Sequence, residues 1–252
     1  MKAIFITARV GSRRLPRKML LKIGGRAVIE HVMDRMKRSK EADMVILCTT
    51  TLPEDTTLKF LAMKNGIRCF RGSAEDKLAR WMGAADVFGI DRFVTADGDD
   101  LFCEPELIDM AFRQMDISGA DFIDCDNVPC GAFTYAIRTG ALREACEMKD
   151  TDNTEMMSVY FTDTGMFHVE RLEGVPDELR RPELRMTLDY PEDLDFFRTV
   201  FAHFGHKSFN LWDVIEYLDE YPEVVRINAH CHQRFIDNQK AKTRLVLKSA
   251  YC

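Results

Sequence analysis

The sequence has no apolar run long enough to cross a membrane and no excess of basic residues. A membrane-spanning helix needs about 20 mostly apolar residues, and no run in this chain approaches that length. The formal net charge of the 252 residues is −6, which argues against broad nucleic-acid binding, because such binding needs a basic face. We therefore expect neither a membrane protein nor a nucleic-acid-binding protein, although a local basic pocket for a phosphorylated small molecule remains possible.

Paired cysteine motifs are also missing. The eight cysteines are scattered and none belongs to a CxxC pair, so neither a zinc ribbon nor a redox motif is indicated. The apolar run at the N-terminus is too short for a signal peptide and lacks a small-residue cleavage site. The pair His230 and His232 has no third ligand at a recognisable spacing, so we predict no zinc site there. Together these absences favour a cytoplasmic location.

Short β-rich runs alternate with helical patterns along the chain. The first half predicts strands at 3–7, 44–48, 67–70 and 92–95, with helices at 28–36, 53–64 and 75–88. This βαβαβ rhythm predicts a parallel sheet with helices on both faces. The second half predicts strands at 121–123, 133–137, 165–169 and 184–188, and helices at 140–148, from 191 onwards and at 210–218.

The domain organisation follows from length and composition. Hydrophobic residues make up 46% of the chain, which is enough for one well-packed α/β domain. We predict that residues 1–225 form this domain. Residues 226–252 are mildly basic and irregular in composition, and they form a C-terminal arm, a partner contact or a poorly ordered tail.

The segment after the first predicted strand, residues 8–18, combines a glycine, a serine, four arginines and a lysine. Ligands gather at the carboxyl ends of the strands in an open α/β sheet. Gly11 allows close backbone approach, Ser12 and the backbone N–H groups can donate to phosphate oxygens, and Lys18 can place a point charge on a polyanion. The alternative is a solvated basic turn, but the preceding buried strand favours a phosphate site. Neither GxxxxGK[ST] nor GxGxxG is present.

Carboxylates follow two other predicted strands. Asp97 and Asp99 flank Gly98 after the strand at 92–95, and the residues alone support an Asp-Gly turn and a Mg²⁺ site equally. Asp189 follows the strand at 184–188 and precedes a helix that begins at Pro191, which by itself places it at a helix N-terminus.

These motifs together resemble those of the cytidylyltransferases, which include the CMP-Kdo and CMP-sialic acid synthetases and the branch called spore coat polysaccharide biosynthesis protein F. The resemblance spans most of the chain up to about residue 200. It rests on the motifs ARxGSxRLPxKxL (8–20), GGR (24–26), IEHV (29–32), TT (49–50), PED (53–55), FRGS (70–73), TAD (95–97) and RMTLDYPEDL (185–194).

The resemblance implies a three-layer αβα, Rossmann-like fold with a mostly parallel sheet, of the nucleotide-diphospho-sugar transferase (glycosyltransferase-A-like) kind. It also implies Mg²⁺-dependent transfer of CMP from CTP to an acidic sugar. In that family the loop after the first strand wraps the CTP phosphates. The nucleotide-binding residues carried over to this chain are Ala8, Arg9, Gly11, Ser12, Lys18, Arg71, Ser73 and Asp97. Of these, Lys18, Arg9 and Asp97 are the implied catalytic residues.

The resemblance also assigns the metal and the acceptor. Asp97 and Asp189 are the implied Mg²⁺ ligands, whereas Asp99 departs from the family pattern and is either a ligand through water or a substrate contact. Acceptor binding and dimerisation fall to residues of about 125–180, and the family commonly forms homodimers. The implied acceptor-binding residues are Tyr135, Arg138, Glu155 and His168.

Several points stay open from the sequence. Arg138 is either an acceptor ligand or a surface arginine, and His168 is either a ligand or a core histidine. The acceptor is an acidic sugar, a sugar phosphate or a phosphonate. A glycosyltransferase is a further alternative, because an Asp-x-Asp at a strand end serves that chemistry, but a lysine-bearing triphosphate loop argues against it. The set of Lys18, Asp97 and Asp189 argues against a non-catalytic nucleotide-binding subunit.

Overall fold

The computed structural model describes residues 1–205 and 207–251. Cys252, the last of the eight cysteines and the last residue of the predicted arm, lies outside them. The seven cysteines within the described ranges are free thiols. In these ranges no helix has both the length and the apolar character that a membrane crossing requires.

The described residues form strands that alternate with helices. The strands are β1 (Lys2–Thr7), β2 (Lys22–Ile23), β3 (Arg26–Ala27), β4 (Met44–Thr50), β5 (Arg68–Gly72), β6 (Arg92–Asp97), β7 (Phe122–Asp124), β8 (Ala136–Arg138) and β9 (Val169–Arg171). The α-helices are α1 (Val28–Met36), α2 (Thr56–Lys64), α3 (Lys77–Phe88), α4 (Pro105–Ser118), α5 (Thr139–Met148), α6 (Val159–Thr162), α7 (Pro191–Phe204), α8 (Leu211–Glu220), α9 (Pro222–Val225) and α10 (Cys231–Lys242).

A seven-stranded sheet in the order β5-β4-β1-β6-β8-β7-β9 lies at the centre. Its strand pairs are parallel except for the two that involve β8. Strand β8 therefore runs against the other six. The α/β, Rossmann-like prediction with a mostly parallel sheet is confirmed.

Helices cover both faces of this sheet. Successive side chains of a strand point to opposite faces, so Ile4 and Ile6 of β1 pack with α1, α2, α4, α7 and α8, whereas Ala3 and Phe5 pack with α3, α5 and α6. All four side chains are fully buried. Burial on both faces explains why β1 is a continuous apolar run rather than an alternating one, and it gives the three αβα layers.

The register brings three strand ends together. Thr7, the last residue of β1, lies beside Cys48 of β4 and Asp97 of β6. On β4, Thr50 pairs with Gly72, the last residue of β5. We call this side of the sheet the carboxyl edge, and the segments that follow β1, β4, β5 and β6 all begin there.

Residues 184–188 do not form the predicted strand. Only an isolated bridge between Arg185 and Cys130 is present in this segment. The backbone N–H of Met186 donates to the carbonyl of Cys130 at 2.7 Å, and that of Leu188 donates to Asp99 at 3.0 Å. Because the segment bonds first to one loop and then to another, no regular ladder can form.

The C-terminal arm is more regular than its composition indicates. It contains the 12-residue helix α10, and the chain then returns to the end of α5. There the N–H of Lys248 donates to the carbonyl of Met148 at 2.9 Å, and the N–H of Asp150 donates to the carbonyl of Val246 at 2.9 Å. The arm is thus attached to the main domain beyond its helix as well as before it.

A buried ion pair joins the 184–188 segment, α7 and the arm. The Arg185 guanidinium donates two bonds of 2.8 Å to the Asp193 carboxylate, and both side chains are fully buried. Asp193 also accepts the N–H of Asp189 at 2.8 Å and of Tyr190 at 2.9 Å, while the Asn228 amide donates to it at 2.9 Å. A charge-assisted, bidentate pair of this kind fixes orientation as well as distance.

Replacing Asp193 tests this buried pair. We expect Asp193→Asn to lower the free energy of unfolding by about 3–5 kcal/mol, because the buried Arg185 charge would lose its bidentate partner and keep only the more distant Asp189 carboxylate at 3.6 Å. Urea denaturation of the purified chain measures the loss. The matched control is Asp195→Asn on the same helix, where 69% of the side chain is exposed. Equal, small changes in both variants would contradict the structural importance of the pair.

Candidate active site

A buried carboxylate fixes the start of the arginine-rich loop. The N–H of Val10 donates to Asp55 Oδ1 at 2.6 Å, and the Thr50 hydroxyl donates to Asp55 Oδ2. Asp55 is fully buried and lies in the turn of 3₁₀ helix that precedes α2. The loop after β1 is therefore held against the end of β4. The sequence motif around residues 53–55 contained this residue, but its spacing gave no sign of the contact.

The acidic turn, residues 97–99 at the end of β6, lies directly against the cationic loop of residues 8–18. The N–H of Gly98 donates to the Thr7 carbonyl at 2.8 Å, and the N–H of Asp100 donates to the Asp97 carbonyl at 3.0 Å. A Cβ atom on Gly98 would lie 2.8 Å from the Ala8 Cβ, which is too close for any other residue. Glycine therefore lets the cationic loop and the acidic turn touch.

Lys18 is the centre of the charge cluster. Its ammonium donates to Asp99 and to Asp189 Oδ1 at 2.8 Å, and Arg14 also donates to Asp189. The side chain of Lys18 is only 9% exposed and that of Asp189 only 2%. The structure thus brings together two predicted site residues that are 171 positions apart in the chain.

The pKa directions agree with this pairing. Burial alone would lower the pKa of the Lys18 ammonium, but Asp99 and Asp189 outweigh it and raise the pKa above the ordinary value. Burial would raise the pKa of Asp189, but Lys18 and Arg14 hold it below the ordinary value. Lys18 is therefore a permanent cation and Asp189 a permanent anion near neutral pH.

Asp97 has a different cationic partner. Lys77 Nζ lies 3.2 Å from Asp97 Oδ1 and 5.0 Å from the centre of the Trp81 ring. Trp81 in turn donates its indole N–H to the Thr7 hydroxyl at 2.9 Å. A third of the Asp97 side chain is exposed. Lys77, the first residue of α3, was not predicted as a site residue, and no motif or spacing around it indicates one.

Arg9 and Glu155 meet in front of the carboxyl edge. Arg9 Nη2 lies 2.9 Å from Glu155 Oε2, and Arg9 Nη1 donates to the Ala74 carbonyl at 3.3 Å. Burial would raise the pKa of Glu155, but Arg9 and Lys242 hold it below the ordinary value. Arg9, which is predicted to bind the nucleotide, and Glu155, which is predicted to bind the acceptor, are therefore in contact.

The remaining residues predicted to bind the nucleotide differ in whether the protein already occupies their side chains with hydrogen bonds. Arg71 donates to the carbonyls of Thr50 at 2.8 Å and Leu52 at 2.7 Å, so it braces the end of β4. The Ser73 hydroxyl accepts the N–H of Asp76 at 3.0 Å, just before α3 begins. Gly11 is exposed and Ser12 is half-buried in the loop.

Tyr135 lies on the same side of the sheet as the acidic turn. Its carbonyl accepts the N–H of Thr95 at 2.8 Å, two residues before Asp97, and its ring lies 5.1 Å from that of Phe122. Burial raises the pKa of the Tyr135 phenol. Tyr135 and Glu155 thus remain candidates for acceptor binding.

Arg138 and His168 lie at the opposite edge of the sheet, so the structure does not bring them together with the other predicted site residues. Strand β8 is antiparallel, and its register sets Arg138 beside Arg92, the first residue of β6. Asp97 is five residues further along β6, roughly 16 Å away at 3.3 Å per residue. The carbonyl of His168 accepts the N–H of Asp121, the residue before β7, at 2.8 Å. The exposed His168 ring pairs with Glu170 at 3.0 Å, so it is not a core histidine.

The oxygen donors of the carboxyl edge fit a hard divalent cation such as Mg²⁺, which takes one or two carboxylates and completes its shell with water and phosphate oxygens. Asp97 is partly open, and Asp189 is ionised but covered by Lys18 and Arg14. In the described part of the chain, the single set of three ligand side chains within 4.8 Å of one another is Glu192, His230 and Cys231.

Asp100 lies beneath the acidic turn. Its side chain is buried, and a Cβ on Gly131 would lie 3.0 Å from its Oδ1. Burial, together with the charges of Asp99 and Asp97, raises the pKa of Asp100 well above the ordinary value. This buried carboxyl is therefore harder to ionise than an ordinary aspartate, and it packs beneath the turn.

The chain is similar to one family over most of its length. The family model described as cytidylyltransferase matches residues 3–172. An uncharacterised protein of Methanocaldococcus jannaschii is 31% identical, over 91% of this chain and 95% of that protein. The spore coat polysaccharide biosynthesis protein SpsF of Bacillus subtilis is 26% identical, over 80% of this chain and 87% of the relative.

Solved structures give the same result. A cytidylyltransferase from Leptospira borgpetersenii superposes with a TM-score of 0.81 at 25% identity, over 89% of this chain and 96% of that chain. A CMP:2-keto-3-deoxy-manno-octonic acid synthetase complexed with CTP has a TM-score of 0.60 at 18% identity, over 80% of this chain and 98% of that chain. At that identity the second likeness shows the fold alone.

The raised pKa of Asp100 predicts a pH-dependent stability. The folded chain keeps this proton to a higher pH than the unfolded chain, so the stability that the group contributes is present at low pH and lost as the pH rises through the folded pKa. We expect Asp100→Asn to be at least as stable as the wild type at neutral pH, and this advantage to shrink as the pH falls towards about 4.

Urea denaturation of the metal-free chain at several pH values measures the difference. The exposed Asp163, changed to Asn, is the control and should leave the pH profile unchanged. A difference between Asp100→Asn and the wild type that does not vary with pH would show that Asp100 is ionised throughout.

Proposed function

We propose that this chain, which belongs to the cytidylyltransferase family and is a CTP-dependent nucleotidyltransferase, transfers CMP from CTP to an acidic sugar of the ulosonic or nonulosonic type and releases pyrophosphate. The observation that carries the proposal is the contact between the cationic loop and the carboxylates, with Lys18 paired to Asp99 and Asp189. The relative named for spore coat polysaccharide biosynthesis supports a role in making a surface glycan.

The loop after β1 is suited to the triphosphate. Its backbone is anchored through Val10 and Asp55, so its N–H groups and the Ser12 hydroxyl are held in place as phosphate donors. Lys18, Arg14 and Arg9 are each neutralised by a carboxylate of the protein. Binding of the polyanionic CTP would exchange these internal partners for phosphate oxygens, and preorganised cations of this kind stabilise charge on the leaving pyrophosphate.

The reaction is an in-line displacement at the α-phosphorus of CTP. A bond forms from the acceptor oxygen to phosphorus, and the bond from phosphorus to the bridging oxygen of pyrophosphate breaks. The pyrophosphate keeps the electron pair, and the proton of an acceptor hydroxyl leaves to a base or to water. Positioning and charge stabilisation, rather than covalent catalysis, are what the protein contributes to such a transfer.

We further propose that Asp97 and Asp189 hold Mg²⁺. A bound divalent cation polarises a phosphoryl oxygen and neutralises its charge. Asp97 is partly open to solvent with Lys77 at 3.2 Å. Asp189 would become available as a metal ligand once Lys18 and Arg14 leave it to bind the phosphate oxygens of CTP. A homodimer and a cytoplasmic location remain predictions.

The first test follows pyrophosphate release with each of the four nucleoside triphosphates. The acceptor panel contains 3-deoxy-manno-octulosonic acid, N-acetylneuraminic acid, sugar phosphates and phosphonates, with Mg²⁺ present. We expect release with CTP and an acidic sugar, and little with the other triphosphates. Preferential release with a sugar phosphate or phosphonate would move the acceptor to that class. Absence of CTP-dependent release with every acceptor would remove the proposed reaction.

The second test concerns the proposed roles of Lys18 and Asp97. We expect Lys18→Met and Asp97→Asn each to lower kcat by about 100-fold or more, the usual cost of one electrostatic group in a water-excluded site. Asp97→Asn should also raise the Mg²⁺ concentration needed for half-maximal rate, whereas Lys18→Met should weaken CTP binding in calorimetry. The controls are Lys22→Met, an exposed lysine just beyond the loop, and Asp91→Asn, an exposed residue just before β6. Full activity in either site variant would refute its role.

A further inference from the structure

One face of helix α10 is aligned with the carboxyl edge. Arg234, Asn238 and Lys242 occur at intervals of four residues, so their side chains lie along one side of the helix. Twelve residues span roughly 18 Å at 1.5 Å per residue. The helix is long enough to pass from the Asp189 side of the site to the Glu155 side.

The N-terminal part of this face packs on Tyr190, the residue that follows Asp189. The guanidinium carbon of Arg234 lies 3.7 Å from the centre of the Tyr190 ring, which is a close cation–π contact. The Asn238 amide donates to the Tyr190 hydroxyl at 3.3 Å. The helix therefore packs on the segment that carries the predicted metal ligand, next to Lys18 and Arg14.

The other end of the face approaches Glu155. Lys242 is one of the cations that hold the pKa of Glu155 below its ordinary value against the effect of burial, the other main one being Arg9. The chain beyond the helix is fixed by the hydrogen bond of 2.9 Å from the Asp150 N–H to the Val246 carbonyl, and the Tyr160 hydroxyl donates to the same carbonyl at 3.3 Å. Both ends of α10 are thus held against the domain.

The cations on this face make no direct ion pair within the described part of the chain. Among the described residues, no carboxylate makes an ion pair with Arg234 or Lys242, whereas Arg9, Arg14 and Lys18 each have one. The Glu192 charge acts on Arg234, but without an ion pair. Two exposed cations beside a site whose other cations are already paired are suited to an anionic ligand.

We propose that the face of α10 formed by Arg234, Asn238 and Lys242 is one wall of the acceptor site and binds the acidic group of the acceptor. The proposal rests on the proposed function and adds the residues that select an anionic sugar. The loop after β1 and the acidic turn are assigned to CTP, whereas the cations of α10 lie beside Tyr190 and near Glu155. The arm therefore contributes to the site in the same chain.

The test compares charge-neutral variants on the two sides of the helix. Lys242→Gln and Arg234→Gln remove one cation each, and Lys240→Gln removes an exposed lysine that lies off the site-facing row. We expect the first two to raise the KM for the acidic sugar by roughly tenfold or more, as the loss of a charged hydrogen bond does, and to leave the KM for CTP within about twofold. Lys240→Gln should resemble the wild type in both constants.

The outcomes separate this proposal from the proposed function. Turnover of an acidic sugar with an unchanged acceptor KM in both variants would overturn the role of α10 and leave the function in place. If no acidic sugar is turned over with CTP, the proposed function fails, and calorimetry with 3-deoxy-manno-octulosonic acid and N-acetylneuraminic acid decides the role of α10. Binding that weakens in Lys242→Gln and not in Lys240→Gln supports it, whereas no binding, or equal binding in all variants, overturns it.

Arg234→Gln also loses its stacking on Tyr190, so its melting temperature is compared with that of the wild type. If that variant fails to fold, Lys242→Gln decides alone, because the Lys242 side chain is exposed and makes no ion pair among the described residues.

Discussion

The carboxylate of Asp193 is the contact on which the Asp189 side of the site depends. Its two oxygens accept hydrogen bonds from the Arg185 guanidinium, from the backbone N–H groups of Asp189 and Tyr190, and from the Asn228 amide. These groups come from an extended segment, a helix start and the beginning of the arm. A buried carboxylate without these donors would cost several kcal/mol, so the three segments are stable only in this arrangement. The position of Asp189 at the carboxyl edge follows from it.

Charge balance is the second constraint. Three acids of the carboxyl edge have cationic partners within the protein: Lys18 and Arg14 on Asp189, Lys18 on Asp99, and Lys77 on Asp97. Burial and the neighbouring carboxylates raise the pKa of a fourth acid, Asp100. Lys18 and Arg14 are also the cations that the proposed function assigns to the triphosphate. A site of this kind exchanges one set of ion pairs for another on binding, which avoids leaving any buried charge unpaired.

Sequence patterns were sufficient to locate the central strands of the sheet but not to place the residues predicted to bind the acceptor. The strands of the first half are apolar because both faces are buried, so composition located β1, β4 and β6 and hence the loop and the acidic turn. The direction of β8 could not be predicted from a strand of three residues, and this direction sets Arg138 at the edge away from Asp97. Asp55 and Lys77 act through contacts between segments distant in sequence. The predicted strand at 184–188 failed because its apolar residues are buried without a neighbouring strand.

The two halves of the site also differ in where they lie along the chain. The family match covers residues 3–172, which include the cationic loop, the acidic turn and Glu155, whereas Asp189 and α10 come after it. The residues that the family model matches therefore include the groups proposed to bind the nucleotide, together with Glu155, while relatives match the chain over a longer range. Helix α10, whose cations Arg234 and Lys242 make no ion pair among the described residues, packs on Tyr190, the residue after Asp189, and the proposed acceptor site uses these cations. Because that helix is attached to the domain before and after it, changes on its exposed row can alter acceptor choice without disturbing the sheet or the nucleotide loop.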